Sequence, residues 1–235
     1  MSKRKRRVMM IGGLALGLLL FIGINILRAG RNALTFPKYW QDKSAEPLAP
    51  NAMRLVALGD SGMQAIGAAK PEEGIAGRVS NYLRIKTSRP VHVTNVSVGA
   101  ATVQDILNHQ LPKVDLDKAE LIIIATANDL ENRVPLDEYR ANLRRLLWSL
   151  PANKTIFSDF PIEPGREAYQ AVFQEVGDER GVRHADFAGV FNGEGRRLEI
   201  FSWLFPHVNS KGYYYWFLAF KPEVDKVLDV HQLKS

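Results

Sequence analysis

From residue 54 onward, short apolar runs alternate with longer stretches in which apolar residues recur at helical spacing. Residues 121–125 are wholly apolar, which is typical of a strand that is buried on both faces of a parallel sheet. The predicted strands span residues 55–58, 91–96, 121–125, 155–157 and 182–186, and the predicted helices span residues 72–86, 102–111, 136–150, 167–180 and 209–228. Strands that alternate with helices in this way predict one α/β domain, a three-layer α/β/α sandwich with a parallel sheet of about five strands.

The first part of the chain has a different pattern. Residues 8–27 carry no charge, and Asn25 is their only strongly polar member. Because about 20 helical residues span a hydrocarbon core of ~30 Å, this segment predicts one transmembrane helix that serves as an uncleaved signal-anchor. The basic block at residues 3–7 would keep the N-terminus in the cytoplasm and place the rest of the chain outside. A cleaved signal peptide and an incorrect start of a soluble protein are the alternatives.

Residues 28–50 separate this segment from the α/β pattern. They mix glycine and three prolines with polar residues and have no clear periodicity. Such a composition is typical of a linker that holds a domain a short distance from the membrane. The sequence therefore predicts a basic cytoplasmic tail at residues 1–7, the membrane anchor at 8–27, a linker at 28–50 and a folded domain at 51–235.

Charge and composition narrow the function classes. The chain has 235 residues, a net charge of +6 and no cysteine, so disulfides, thiolate catalysis and cysteine metal sites are excluded. Seven of the 31 basic residues lie within the first 32 positions, and the remaining 24 face 25 acids. The outer part of the chain is thus close to neutral, which argues against nucleic acid as a partner. The spacing of His, Asp and Glu resembles no metal site, and no cofactor is expected.

The first predicted strand ends in Gly59-Asp60-Ser61-Gly62. A serine at a strand-to-helix turn lies where a helix N-terminus favours a developing oxyanion. An N-cap flanked by turn glycines is the alternative interpretation of the same four residues. The carboxyl ends of parallel strands are where α/β proteins place their binding sites, so the polar residues after each strand are the candidates for chemistry.

Three more segments stand at such positions. Residues 95–100 read Asn-Val-Ser-Val-Gly-Ala, residues 126–129 read Thr-Ala-Asn-Asp, and residues 201–213 contain a Pro-His pair before the last helix. Together with the Gly-Asp-Ser segment they resemble the blocks of the SGNH/GDSL hydrolase family of esterases, lipases and acetylesterases. The resemblance covers about residues 54–228, and its blocks occur in the family's order.

The resemblance implies a role for each matched position. Ser61 matches the nucleophile, and His207 matches the base that takes its proton. The backbone N–H groups of Ser61 and Gly99 and the side-chain amide of Asn128 match the oxyanion hole. This chemistry is coherent, because a hydroxyl needs a base to become nucleophilic and a tetrahedral oxyanion needs preorganised donors.

One departure from the family pattern concerns the catalytic acid. The family usually has an Asp three residues before the His, and Leu204 occupies that position here. Asp186 and Glu199 are possible substitutes, and a dyad whose imidazole is oriented by a backbone carbonyl is a further possibility. Asp60 and Asp129 are expected to support the site, Asp129 by capping or buttressing its loop.

The sequence thus predicts a membrane-anchored, outward-facing serine esterase or acyltransferase that forms an acyl-enzyme on Ser61. Its substrate would be an acyl ester on a surface glycan, a lipid or a small molecule. The alternative is a catalytically weak or inactive SGNH-like binding or assembly protein of the cell envelope, which the leucine at position 204 favours.

Overall fold

A computed structural model of the protein describes residues 3–160, 165–193, 197–202 and 207–232. The secondary structure follows the predicted alternation. In chain order the elements are α1 (Lys3–Ser44), β1 (Met53–Gly59), α2 (Ile75–Thr87), β2 (Val91–Asn95), α3 (Val103–Asp105, continued by a π-helical turn Ile106–Gln110), β3 (Leu121–Ala125), α4 (Asn128–Glu131), α5 (Leu136–Trp148), β4 (Thr155–Ser158), α6 (Glu167–Arg180), β5 (Arg183–Ala185), α7 (Phe187–Gly193) and α8 (Ser210–Gln232).

The five strands form one parallel sheet in the order β2-β1-β3-β4-β5. In register, Met53 of β1 lies opposite Val91 of β2, and Leu55 of β1 lies opposite Leu121 of β3. The chain leaves β1 toward one edge of the sheet and returns to the other side of β1 at β3. Ligands of open α/β sheets bind at the carboxyl ends of the strands where the order reverses in this way, which is between β1 and β3.

Helices cover both faces of the sheet, which confirms the predicted α/β/α sandwich. Side chains alternate along β3, so that Ile123 packs with α2 and α8 on one face and Ile122 packs with α5 and α6 on the other. Every residue of β3 is buried, as its apolar run predicts. The two apolar layers fix β1 and β3 rigidly and thereby fix the loops that follow them.

Helix α1 corrects the expectation of an irregular linker at residues 28–50. The helix runs without interruption to Ser44, through Pro37. Phe36 and Trp40, one turn apart, are 5% and 3% exposed and belong to the core beside α2 and α8. Burial of two large aromatic side chains contributes several kcal/mol, which offsets the ~3 kcal/mol cost of a proline inside a helix.

The N-terminal half of α1 is apolar and exposed. Within the described residues one helix is long and apolar enough to cross a membrane, by length and composition alone, and the apolar window lies within residues 15–44. Large side chains such as Leu19 and Leu27 are 66% and 75% exposed. The N-terminal half of α1 is therefore an exposed apolar helical segment that continues directly into the folded domain.

Candidate active site

The turn after β1 carries Ser61, and its geometry depends on Gly59. Gly59 has a φ of 141°, and a Cβ atom there would lie 2.0 Å from the carbonyl oxygen of Ala125 on β3. Only glycine fits such a position. The buried side chain of Gln110 donates to Gly59 O and accepts from Gly59 N, both at 2.8 Å. These two hydrogen bonds hold the end of β1 in place.

Ser61 and His207 meet across the cleft although they are far apart in the sequence. His207 Nε2 lies 2.9 Å from Ser61 Oγ. The segment that carries His207 forms a short antiparallel bridge between Phe201 and Val208, and Ser202 N donates to His207 O at 2.8 Å. A hydroxyl at hydrogen-bond distance from an imidazole is the arrangement that activates a serine nucleophile.

Asp60 joins the loops that follow β1 and β3. Its carboxylate accepts from Gly62 N at 2.7 Å, from Ala127 N at 3.0 Å and from Asn128 Nδ2 at 2.7 Å. Burial raises the pKa of Asp60, while the backbone N–H groups of Gly62 and Ala127, the charge of His207 and the side chain of Thr126 act to lower that pKa. The carboxylate thus orients the amide of Asn128 and lies in the electrostatic field of His207.

Three residues that line the cleft carry N–H groups available for a ligand. Within the described part of the chain, the backbone N–H groups of Ser61 and Gly99 donate to no protein acceptor. The Asn128 amide has two hydrogens, and the contact with Asp60 uses one of them. Ser61, Gly99 and Asn128 all line the same cleft. Free donors that converge beside a serine can stabilise a tetrahedral oxyanion.

The sequence itself matches a known family over most of the α/β domain. Residues 57–214 match the profile of the GDSL-like Lipase/Acylhydrolase family. The chain belongs to this family. It is accordingly a serine hydrolase of the type that acts on ester bonds, as the resemblance predicted. No match was found among curated protein sequences.

Solved structures of several other proteins share the fold of this chain. LAE5, an α/β hydrolase enzyme from the metagenome of Lake Arreo in Spain, has a TM-score of 0.61 at 20% identity over 75% of this chain and 97% of its own. TesA has a TM-score of 0.62 at 17% identity over 74% and 99%. Axe2, an acetylxylan esterase from Geobacillus stearothermophilus, has a TM-score of 0.58 at 20% identity over 75% and 96%.

The cleft of this GDSL-type domain has a volume of about 460 Å³ and a mostly apolar lining. Aromatic residues form much of its wall: Phe160, Phe187, Phe201, Tyr213 and Trp216. The rings of Phe187 and Trp216 are stacked, with centroids 4.4 Å apart. Such a wall suits an apolar acyl group or the face of a sugar ring.

The predicted supporting acids Asp129 and Asp186 differ in burial and in the helix that each one caps or holds. Asp129 is buried, and its Oδ2 accepts from Val103 N at 2.9 Å, so it fixes the start of α3. Burial raises the pKa of Asp129 to about 6. Asp186 is exposed and accepts from Gly189 N at 2.7 Å, which makes it a cap of α7 outside the cleft.

The remaining candidates for the acid lie elsewhere. Glu199 is exposed and pairs with Lys211 at 2.7 Å. Leu204, at the family's usual position for the acid, lies outside the described residues. Two acids that the structure describes, Asp60 and Glu131, line the cleft with His207. Glu131 pairs with Arg166, whereas Asp60 interacts electrostatically with His207.

The sequence interpretation missed Asp159, which directly follows β4. This buried carboxylate accepts from Phe187 N at 2.7 Å, Ala188 N at 3.0 Å and Gln170 Nε2 at 2.8 Å, and it lies 3.1 Å from His184 Nε2. It therefore anchors α7 and the ring of Phe187 at the cleft. A polar residue at the carboxyl end of a strand was the signal that could have identified it.

Proposed function

We propose that the protein is a membrane-anchored, outward-facing serine esterase or acyltransferase in which Ser61 is the nucleophile and His207 is the general base. The observation that carries this proposal is the 2.9 Å separation of Ser61 Oγ and His207 Nε2. Membership of the GDSL-like lipase/acylhydrolase family supports the ester bond as the target.

The reaction begins when Ser61 Oγ attacks the carbonyl carbon of the ester and its proton passes to His207 Nε2. The tetrahedral intermediate collapses, the alcohol leaves with the proton of His207, and the acyl group remains on Ser61. A water molecule, or the hydroxyl of an acceptor in a transferase, then loses its proton to His207 and attacks the acyl-enzyme. Release of the carboxylic acid or the new ester returns Ser61 and His207 to their starting state.

The oxyanion of each tetrahedral intermediate would be bound by Ser61 N, Gly99 N and Asn128 Nδ2. The absence of protein acceptors for the two backbone donors in the described chain supports this role. Preorganised donors of this kind contribute about 10²–10³ each to the rate.

Asp60 would supply the negative charge that stabilises the His207 imidazolium. Its buried carboxylate accepts three hydrogen bonds, so the ionised form is held in place beside the pair. Charge on His207 lowers the pKa of Asp60, which supports direct electrostatic coupling between the two groups.

The basic block at residues 3–7 and the apolar helix that follows support an uncleaved anchor with the N-terminus in the cytoplasm. The hydrolase domain would then face away from the cytoplasm and act on acyl esters at the cell envelope. The apolar cleft supports an ester with an apolar acyl group.

The test is the hydrolysis of p-nitrophenyl acetate by the full chain in detergent. We expect Ser61→Ala and His207→Ala to lower kcat/KM by at least about 10³, since loss of a nucleophile or base leaves only the oxyanion donors and binding. Ser149→Ala, an exposed serine at the end of α5, is the control and should keep wild-type activity. Equal rates for wild type and Ser61→Ala would contradict the proposal and favour a binding protein.

A further inference from the structure

Helix α1 contributes to the wall of the catalytic cleft. Ala33, on the part of α1 that follows the apolar run, lines the same cleft as Ser61, His207 and Trp216. This residue lies outside the segment that matches the family profile, residues 57–214. The helix that carries the apolar run is thus also part of the cleft wall.

The same helix is fastened to the loop that carries the nucleophile. Trp40 Nε1 donates to Gln64 O at 3.0 Å, and Asn32 Nδ2 donates to Ala68 O at 3.0 Å. Both acceptors lie within eight residues of Ser61 along the chain. Burial of Phe36 and Trp40 adds an apolar anchor, so that the helix and the nucleophile loop form one unit.

Helix geometry fixes the distance between the apolar run and the cleft. From Leu27, the last residue of that run, to Ala33 is six residues, which at 1.5 Å per residue is about 9 Å. The polar headgroup layer on each side of a bilayer is about 5–8 Å thick, from the difference between the total thickness and the hydrocarbon core. The wall at Ala33 would therefore lie near the outer edge of the headgroup layer.

We propose that α1 delivers the catalytic cleft to the membrane surface, and that the substrate is an acyl ester of an amphiphile embedded in the same bilayer. This inference rests on the proposed function of Ser61 and His207. An embedded ester is confined to the layer that the cleft faces, so its effective concentration at Ser61 is high. A cleft that is docked rigidly at this height has no reach toward distant soluble targets, and its apolar lining accommodates an acyl chain.

The experiment changes the height of the cleft and leaves the cleft itself intact. A seven-residue alanine-rich helical segment with one Glu and one Lys is inserted between Leu27 and Arg28. It adds two turns, about 10 Å, and nearly preserves the helical phase. The control carries the same segment between Arg7 and Val8, where it lengthens only the cytoplasmic side. Full-length proteins are reconstituted in phosphatidylcholine–phosphatidylglycerol vesicles.

Two acetyl esters serve as probes, a dioleoylglycerol acetate in the bilayer and p-nitrophenyl acetate in solution. The variant with the insertion between Leu27 and Arg28 is called the lifted variant. We expect its activity on the embedded ester to fall about tenfold or more and its activity on the soluble ester to stay unchanged, because only access at the membrane surface changes. The control variant, with the insertion between Arg7 and Val8, should keep its activity on both esters. Equal cleavage of the embedded ester by the lifted variant and wild type would overturn the inference.

Failure of the proposed function gives a different result. A wild-type protein that hydrolyses p-nitrophenyl acetate and leaves the embedded ester intact would overturn the membrane substrate alone. A wild-type protein that cleaves neither ester would overturn both the role of the Ser61–His207 pair and the inference that rests on it.

Discussion

The side-chain amide of Asn128 donates to the carboxylate of Asp60 over 2.7 Å, which joins the polar residues that follow β3 and β1. Asp60 is 6% exposed, and its carboxylate also accepts hydrogen bonds from the backbone N–H groups of Gly62 and Ala127. A single buried carboxylate therefore sets the relative position of the serine loop and of one proposed oxyanion donor.

Replacement of Asp60 by Asn should damage turnover more than substrate binding. One oxygen of Asp60 would become an NH₂ group, which cannot accept the N–H hydrogen bonds that the carboxylate accepts. The loops that these hydrogen bonds join would shift, and the Asn128 amide would lose its orientation toward the oxyanion. Because the substitution also removes the charge that would stabilise the His207 imidazolium, we expect kcat on p-nitrophenyl acetate to fall by at least about 10²–10³, the usual cost of losing an oxyanion donor alone, with a much smaller change in KM. The exposed Asp137 on α5 offers the matched control Asp137→Asn, which should change neither constant. A wild-type kcat for Asp60→Asn would show that Asp60 does not position the site.

Trp40 should contribute to the stability of the hydrolase domain, although it lies in the segment that the sequence pattern assigned to a linker. Trp40→Ala removes a side chain that is 3% exposed and leaves the carbonyl of Gln64 without its donor. We expect the free energy of unfolding to fall by about 3–5 kcal/mol, measured by urea unfolding of the full chain in detergent. Leu34→Ala on the same helix, where Leu34 is 82% exposed, should have little effect. Equal stability of the two variants would contradict the docking of α1.

The docked helix also predicts where the chain can be shortened. A chain that starts at Gly30 keeps Asn32, Phe36 and Trp40 and should unfold cooperatively at the temperature of the full-length domain. A chain that starts at Ala49 leaves the apolar surface under Phe36 and Trp40 uncovered, so its melting temperature should be several degrees lower, as expected for a loss of a few kcal/mol. Identical melting curves for the two chains would show that α1 adds no stability.

Asp129 should make the stability of the domain depend on pH. Its pKa in the folded protein is about 6, above the ordinary value of 3.8, and its Oδ1 is buried with no hydrogen-bond partner among the described residues. As the pH rises from about 4 to 6, the unfolded chain loses this proton before the folded chain does. The free energy of unfolding should therefore decrease across that window, by up to about 3 kcal/mol at 1.4 kcal/mol per pKa unit.

The variant Asp129→Asn removes this charge and retains an oxygen that can accept from Val103 N. Its stability should vary less than that of the wild type between pH 4 and 6 and should exceed it at pH 7. Urea unfolding at a series of pH values makes the comparison. If the free energy of unfolding changed with pH in the same way for the wild type and Asp129→Asn between pH 4 and 6, the raised pKa of Asp129 would be contradicted.

The sequence predicted the sheet well because its strands carry a local signal. Residues 121–125 are apolar throughout, and a strand buried on both faces needs that pattern wherever it lies in the chain. Ser61, Gly99, Asn128 and His207, which line one cleft, were predicted to lie together because each occupies a family block at a strand end or before α8. The short helices α4 and α7 were missed, since four and seven residues carry too little periodicity.

Other features depend on tertiary contacts that no local pattern records. Phe36 and Trp40 stand one turn apart, but Pro37 between them indicates a break, and only packing on the domain favours the helix. Gln110 lies in a π-helical turn, and its hydrogen bonds reach Gly59, which is 51 positions away. The family block predicted His207 as the base, but it did not indicate that the buried Asp60 lines the same cleft as His207.

An activated Ser61 should react covalently with a reagent that modifies serine nucleophiles. The full-length protein is treated with a fluorophosphonate, which phosphonylates an activated serine with loss of fluoride, and the modified peptide is identified by mass spectrometry. We expect a single adduct on Ser61 that is absent in Ser61→Ala and strongly reduced in His207→Ala, with labelling retained in Ser149→Ala. An adduct on another serine, or labelling that is unchanged in Ser61→Ala, would show that Ser61 is not the activated nucleophile.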